Sequence, residues 1–230
     1  MTMPPLGHRM TRWAKRRVSR PPTHVVSLVL LTTLLLGQSP SAWSRPSTPA
    51  EATRVAQSVV ERAEQLAEAT RLNAQGIELY QAGRYGEAEP RFLESLDIYR
   101  EQLGDRHPDV ATSLNNLAAL YQAQGRFGEA EPLYQESLTI WREQLGDHHP
   151  DVATSLNNLA NLYRDQGRYG EAELFYQESL LIRREQLGDG HPDVAGSLNN
   201  LANLYRDQGR YGEAEPLYQE SLVIWREQLG

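Results

Sequence analysis

The apolar residues of this chain recur with the spacing of amphipathic helices. In segment 109–146, one apolar series consists of Leu114, Leu117, Ala118 and Tyr121. A second series consists of Phe127, Ala130, Tyr134, Leu138, Ile140 and Trp141. Steps of three and four residues place such side chains on one face of a helix. The segment therefore predicts two helices, the first ending at Gly125 and the second at Gly146, because glycine tolerates a left-handed conformation.

The same pattern returns every 42 residues. Ala118–Gly125 reads AALYQAQG, and the corresponding segments Ala160–Gly167 and Ala202–Gly209 both read ANLYRDQG. One helix pair cannot bury its apolar face alone, so successive pairs must stack on one another. The spacing predicts an all-α fold with four repeats, at about 70–104, 111–146, 153–188 and 195–230.

Each repeat after the first opens on the tripeptide His-Pro-Asp. Proline suits the first position of a helix, and an acidic residue in the first turn favours the helix dipole. We expect helices to begin at these prolines, with the small residues Ala118 and Ala130 at the closest approach of the paired helices.

These residues resemble the tetratricopeptide repeat, whose pattern L-x-x-L-A-x-x-Y-x-x-x-G-x-[YF]-x-x-A-x-x-x-[YF] is met three times. The matching segments are Leu114–Tyr134, Leu156–Tyr176 and Leu198–Tyr218, while Leu72–Phe92 is a divergent copy. The 42-residue length, the LNNLA segments and the HPDVA openings are similar to the variant in kinesin light chains and many bacterial repeat proteins. The resemblance implies a right-handed α-solenoid whose concave groove binds peptides or partner proteins.

In such arrays the first helix of each pair lines the groove, so its residues not needed for packing become candidate ligand contacts. The candidates are Asn115, Asn157, Asn199, Asn161, Asn203, Arg164, Arg206 and Gln122. Asparagine both donates and accepts, so it can hold a peptide backbone without selecting a side chain. The adjoining Asn116, Asn158 and Asn200 could instead brace the packing between helices. Arg164 and Arg206 could add a preference for carboxylates, opposed by the neighbouring Asp165 and Asp207.

Charge divides the chain into two unlike parts. Residues 1–44 contain six of the 23 basic residues and no acidic residue, so residues 45–230 have a net charge of −13. A body this acidic is not expected to bind nucleic acid or anionic lipid through charge. The chain contains no cysteine, so the fold needs no disulfide.

The basic start is followed by the apolar run Val25–Leu36 and by small residues up to Ser44. A secretory signal has an apolar region of about 7–15 residues, whereas a membrane-spanning helix needs about 20. Residues 1–44 are therefore interpreted as a signal peptide, read from Met1 or Met10, and its cleavage near Ser44 would release an exported, periplasmic or secreted protein. An uncleaved membrane anchor is the alternative. A linker and an N-terminal capping helix are predicted over 45–69.

No motif favours an enzyme, a cofactor or a metal site. The His-Pro-Asp tripeptide also occurs in J-domain cochaperones, but here it recurs at helix starts. Successive loop histidines lie one repeat apart, which is too far to share an ion. The repeated serine beside a carboxylate, as in Glu136-Ser137, has no histidine at a supporting spacing for a nucleophile.

The sequence stops at Gly230, where a second helix closes, and no polar capping helix follows. Truncation of a longer protein, end-to-end self-association and tolerance of an open end all remain possible. Similar bacterial proteins often continue into a CHAT peptidase domain, so a regulatory or sensing region of a truncated peptidase or signalling protein is the alternative to a binding scaffold.

Overall fold

The computed structural model describes residues 48–229, and within this range the chain forms eight helices and no strand. The helices are α1 Pro49–Gln81, α2 Tyr85–Leu103, α3 Pro108–Ala123, α4 Phe127–Leu145, α5 Pro150–Asp165, α6 Tyr169–Leu187, α7 Pro192–Asp207 and α8 Tyr211–Leu229. The predicted signal peptide lies outside the described residues.

Of the described residues, 48–61 belong to one unit and 62–229 to another. The described part of the first unit is the start of α1, where Val55, Val59 and Val60 are exposed. This stretch is thus helical without burying its valines. α1 continues without a break to Gln81, so it combines the stretch predicted as a capping helix with the first helix of the first repeat.

In the second unit, successive helices pack in pairs, and each pair packs on the next. The two predicted apolar series form the core, because Leu114 and Ala118 of α3 and Ala130 and Ile140 of α4 have no exposed surface. Trp141 is half-buried at the edge. The predicted all-α solenoid of stacked helix pairs is confirmed.

The helices α3, α5 and α7 begin at the prolines that the sequence predicts. The preceding histidine caps each start, since Nδ1 of His107, His149 and His191 accepts a hydrogen bond from the backbone N–H of the following aspartate at 3.1 Å. The histidine thus satisfies a backbone donor that the helix leaves unpaired.

The end of α3 shows why the repeat needs its glycine. Gly125 has a φ of +73°, and the N–H of Arg126 donates to the carbonyl of Tyr121 at 2.8 Å. A residue with a β-carbon is disfavoured in this conformation. Gly125 therefore turns the chain from α3 into α4.

A buried serine joins the two helices of every repeat. Ser95, Ser137, Ser179 and Ser221 each donate through Oγ to the carbonyl of an alanine 26 residues earlier, at 2.6–2.8 Å. The serines are 0–4% exposed. The repeated serine, considered in the sequence as a possible nucleophile, therefore holds the two helices of each repeat together.

Candidate functional site

The predicted groove residues lie on α3, α5 and α7, where asparagines connect each repeat to the next. Nδ2 of Asn158 donates to Oδ1 of Asn115 at 2.8 Å, and Nδ2 of Asn200 donates to Oδ1 of Asn157 at the same distance. A third bond of this kind joins Asn116 to Asn73 at 3.0 Å. Each bond spans 43 residues. These three pairs form what we call the asparagine ladder.

The ladder uses only one end of each amide. Asn115 and Asn157 contribute their oxygens to it, and among the described residues no group accepts from their NH2 groups. Asn115 is half-buried, whereas Asn157 is 9% exposed. Asn158 and Asn200 contribute their NH2 groups, so their oxygens are left as acceptors. Both asparagines of these two hydrogen-bonded pairs therefore hold neighbouring repeats together, and each keeps either its NH2 group or its oxygen outside the ladder.

Three other predicted residues bind the second helix of a pair to the first. The Tyr176 hydroxyl donates to Oδ1 of Asn161 at 2.5 Å, and the Tyr218 hydroxyl donates to Oδ1 of Asn203 at 2.7 Å. In the second repeat, the Tyr134 hydroxyl donates to Oε1 of Gln122 at 3.0 Å. Burial raises the pKa of Tyr176 to about 12, which keeps this hydroxyl protonated as a donor.

The two predicted arginines differ in what they contact. Nε of Arg164 lies 2.8 Å from Oδ2 of Asp207 in the next repeat, so its charge is neutralised across the interface. Arg206 contacts the other oxygen of Asp207 at 3.0 Å, and its side chain is 51% exposed. Asp165 similarly accepts from Nε2 of Gln122 at 2.6 Å. Arg206 is therefore the arginine of the two with a guanidinium open to a ligand.

Asn199 is the member of the predicted set that is not engaged within the described residues. It occupies the position of Asn115 and Asn157, whose oxygens accept from the following repeat. Among residues 48–229, no side chain donates to Asn199. Within the described residues, both hydrogen-bonding groups of this amide are therefore unengaged, and Asn199 precedes Arg206 by seven residues on α7.

The first repeat presents an aromatic group where the later repeats present polar ones. Tyr80 occupies the position of Gln122, Arg164 and Arg206, and its ring lies 5.6 Å from that of Tyr85 between centroids. The sequence shows Tyr80 as a departure from the repeat, and its pairing with the first residue of α2 was not foreseen. The row of equivalent positions changes from aromatic to amide to cationic along the array.

Arginines outside the predicted set hold successive repeats together. Arg126 stacks 3.9 Å above the Tyr121 ring and binds Glu89 of the preceding repeat at 2.8 Å, and Arg168 and Arg210 repeat this arrangement. Arg142 also reaches Glu178 of the next repeat at 2.6 Å. Acidic residues of the second helices thus form ion pairs with arginines of neighbouring repeats.

The part of the chain from 48 to 229 contains no cluster of three or more histidine, aspartate or glutamate side chains suited to a metal ion. None of its helices combines the length and the apolar character needed to cross a membrane. The candidate site consists of amides, two arginines and a tyrosine pair, and its chemistry is hydrogen bonding and charge pairing.

Comparison with known proteins agrees with this architecture. A family model described as "Tetratricopeptide repeat" matches residues 69–143, 109–185 and 153–227, which together make up more than half of the chain. BtubC (BKLC) from P. vanneervenii is similar in structure, with a TM-score of 0.64 and 26% identity over 70% of this chain. This chain spans 65% of the length of that BtubC chain.

A second solved structure, that of a putative kinesin light chain with nearly identical TPR-like repeats from Podosopora anserina, has a TM-score of 0.60 and 26% identity. The match covers 75% of this chain and 84% of the Podosopora anserina chain. No curated protein matches the sequence. The shared feature of the matches is the kinesin-light-chain-like repeat.

Proposed function

This chain belongs to the tetratricopeptide repeat family, and on that premise we propose that it is a non-enzymatic scaffold that binds an extended peptide segment of a partner protein. Repeats of this family generally mediate protein–protein interactions. We place the binding surface on the first helices of the pairs, α3, α5 and α7, along the asparagine ladder.

The proposal rests on the hydrogen bonding of the ladder amides, each of which uses only one of its two polar groups to bind the neighbouring repeat. Asn115 and Asn157 are fixed through their oxygens, so their NH2 groups are held in place before a ligand arrives. A donor that is already immobilised loses little side-chain entropy on binding. Repeated donors on stacked helices about 10 Å apart suit the carbonyls of an extended chain, which advances about 3.3 Å per residue.

The two ends of the array favour different ligand chemistry. Tyr80 and Tyr85 offer an aromatic surface in the first repeat, whereas Arg206 and Asn199 offer a cation and an open amide in the fourth. An exposed guanidinium binds carboxylates by charge-assisted hydrogen bonds. The expected ligand is therefore an extended peptide with an apolar or aromatic residue towards α1 and a carboxylate towards α7.

The N-terminal segment supports export as the place of action. Its six basic residues precede the apolar run Val25–Leu36 and the small residues that lead to Ser44. We propose that residues 1–44 direct export and that the scaffold meets its partner in the periplasm or outside the cell. Detection of a mature N-terminus near residue 45 in the source cell would test this step.

The binding proposal can be tested with a displayed library of extended peptides selected on the full chain. Replacing Asn157 and Asn199 together with alanine removes two donors, so selected peptides should bind about 5- to 100-fold more weakly by fluorescence polarisation. Circular dichroism should show unchanged helicity.

Asn200→Ala is the matched control. It breaks the same bond between Asn157 and Asn200 but leaves the NH2 group of Asn157 in place. A larger loss of affinity in the double variant than in Asn200→Ala supports a donor role in ligand binding. Equal affinity of the wild-type and the folded double variant would place the ligand on another surface.

A further inference from the structure

Each of the second helices α2, α4 and α6 carries one stripe of residues that the following repeat covers. On α6 the stripe consists of Glu173, Tyr176, Leu180 and Arg184. Arg210 of the next repeat binds Glu173 at 2.7 Å, and Glu220 of the next repeat binds Arg184. Tyr176 and Leu180 are 0% and 8% exposed between these ion pairs. The interface thus has an apolar centre with an acidic and a basic end.

α8 carries the same stripe, and among residues 48–229 no helix covers it. It consists of Glu215, Tyr218, Leu222 and Arg226, spaced so that all four lie on one side of the helix. Leu222 is 48% exposed, whereas its equivalents Leu96, Leu138 and Leu180 are 3–8% exposed. Among the described residues, Glu215 accepts only from Gln219 of its own helix, and no carboxylate pairs with Arg226.

The opposite side of the array does not offer a surface that would cover this stripe. In α3, Leu117 and Leu120 are buried at 2% and 0% exposure, while α1 has Gln75 and Glu78 at the equivalent positions. Glu68 of α1, at the position of the buried Val110, is exposed enough to pair with Arg71. Docking the α8 stripe on α1 would bury charges opposite Leu222, which is unfavourable.

The stripe is, however, complementary to itself. Glu215 lies near the start of α8 and Arg226 near its end, 11 residues apart, which is about 16 Å along the helix axis. In an antiparallel pair of α8 helices, Glu215 of each copy faces Arg226 of the other, and the two Leu222 side chains lie near the twofold axis. Such an arrangement uses one patch on both copies, as closed twofold dimers do.

We propose that two copies of this chain associate through their α8 stripes as an antiparallel, twofold-symmetric pair. The two ion pairs replace those that Arg210 and Glu220 make to the α6 stripe, and Leu222 is withdrawn from water. The proposed peptide-binding surface lies on the first helices α3, α5 and α7 and not on α8, so each dimer carries two such surfaces. This inference does not depend on the proposed peptide ligand.

Sedimentation equilibrium of the full chain measures the association directly. We expect a reversible monomer–dimer equilibrium in the wild type and at least tenfold weaker dimerisation in Leu222→Glu, because a charge replaces the apolar centre. Leu174→Glu is the control, because Leu174 is exposed on α6 outside the stripe. This variant should dimerise like the wild type. Dimerisation that survives Leu222→Glu would overturn the proposal.

Charge reversal tests the antiparallel pairing. Glu215→Arg and Arg226→Glu should each weaken dimerisation, because each places like charges opposite one another twice. The double variant Glu215→Arg with Arg226→Glu restores both pairs in reversed order and should recover most of the affinity. A wild type that is monomeric at all concentrations, a double variant without recovery, or growth beyond two copies would each contradict the proposal.

Discussion

The first and third repeats build the same helix contact with different side chains. In the third repeat, α5 and α6 hold the buried Ala160 and the buried Tyr176, and the hydroxyl of Tyr176 binds Asn161. In the first repeat, the equivalent positions hold Gly76, Phe92 and Ile77. Gly76 lies so close to the Phe92 ring that a β-carbon built on it would be 2.6 Å from the nearest ring carbon. The closer approach thus accompanies the loss of both the methyl group and the hydroxyl.

Both repeats fill the space between their paired helices and leave no ring hydroxyl without an acceptor, but they do so with different residues. A ring without a hydroxyl needs no acceptor, so an isoleucine can stand where the third repeat has an asparagine. A glycine costs helix propensity but allows the ring to approach α1. The first repeat is therefore a self-consistent alternative core.

The first test of this comparison is Gly76→Ala. Alanine favours a helix by about 1 kcal/mol over glycine, but overpacking a buried ring costs about 1–3 kcal/mol. Phe92 is 1% exposed and cannot swing outwards, so we expect a net loss of up to about 2 kcal/mol in the free energy of unfolding. Urea unfolding followed by circular dichroism measures it.

Gly86→Ala is the matched control, because Gly86 is also helical and a β-carbon there meets no atom within 4 Å. It should leave stability unchanged or raise it slightly. If Gly76→Ala proves as stable as Gly86→Ala, the close approach of Phe92 does not determine the packing of the first repeat.

A second pair of variants exchanges the aromatic residues. Phe92→Tyr buries a hydroxyl next to Ile77, which offers no acceptor, and should cost about 1–3 kcal/mol. Tyr176→Phe removes one hydrogen bond to Asn161 and should cost about 0.5–1.5 kcal/mol. Thermal unfolding of the two variants compares them, and equal costs would mean that the first repeat supplies another acceptor.

The fold was predictable from the sequence because spacing alone identifies the helices. Two patterns can be read directly from the sequence: the 3.6-residue period of Leu114, Leu117 and Tyr121, and the 42-residue repeat. Neither pattern requires knowing which residues are in contact in the folded protein. The repeat predicted that the helix pairs stack, the family resemblance agreed, and the structure confirms the stacking.

The site was less predictable, because hydrogen-bond partners lie one repeat away. Asn115 and Asn158 are 43 residues apart, and only the register of stacked helices brings their amides together. The same is true of Arg164 with Asp207, which the sequence places in different repeats. A periodic sequence shows which residues are equivalent, whereas the offset between partners depends on how the repeats are inclined to one another.

A feature that the first and third repeats share should respond equally to mutation. Ser95 donates to the carbonyl of Ala69, and Ser179 donates to that of Ala153, at 2.7 and 2.6 Å. Ser95→Ala and Ser179→Ala should each lower the free energy of unfolding by about 0.5–1.5 kcal/mol. Urea titration of both variants checks this, and a cost confined to one repeat would show that the two helix pairs are not held alike.

The smallest expected effect is a pH dependence of stability that arises at the ion pair between the third and fourth repeats. A hydrogen bond from Arg210, with a further one from the Tyr205 hydroxyl, holds the pKa of Glu173 below its usual range despite partial burial. A carboxylate with a lowered pKa contributes stability that is fully present above its ordinary pKa of about 4.5 and is lost as the pH falls through its folded-state value. Unfolding midpoints measured from pH 7 down to pH 3 should therefore decrease once the pH is below about 4.5.

Glu173→Gln should make this decrease slightly less steep, by less than about 1 kcal/mol, because the pair is partly exposed. Glu61→Gln, at an exposed position on α1, is the control for the loss of one carboxylate outside this ion pair. A profile that Glu173→Gln leaves as steep as the wild type would mean that the ion pair between the third and fourth repeats does not contribute to acid sensitivity.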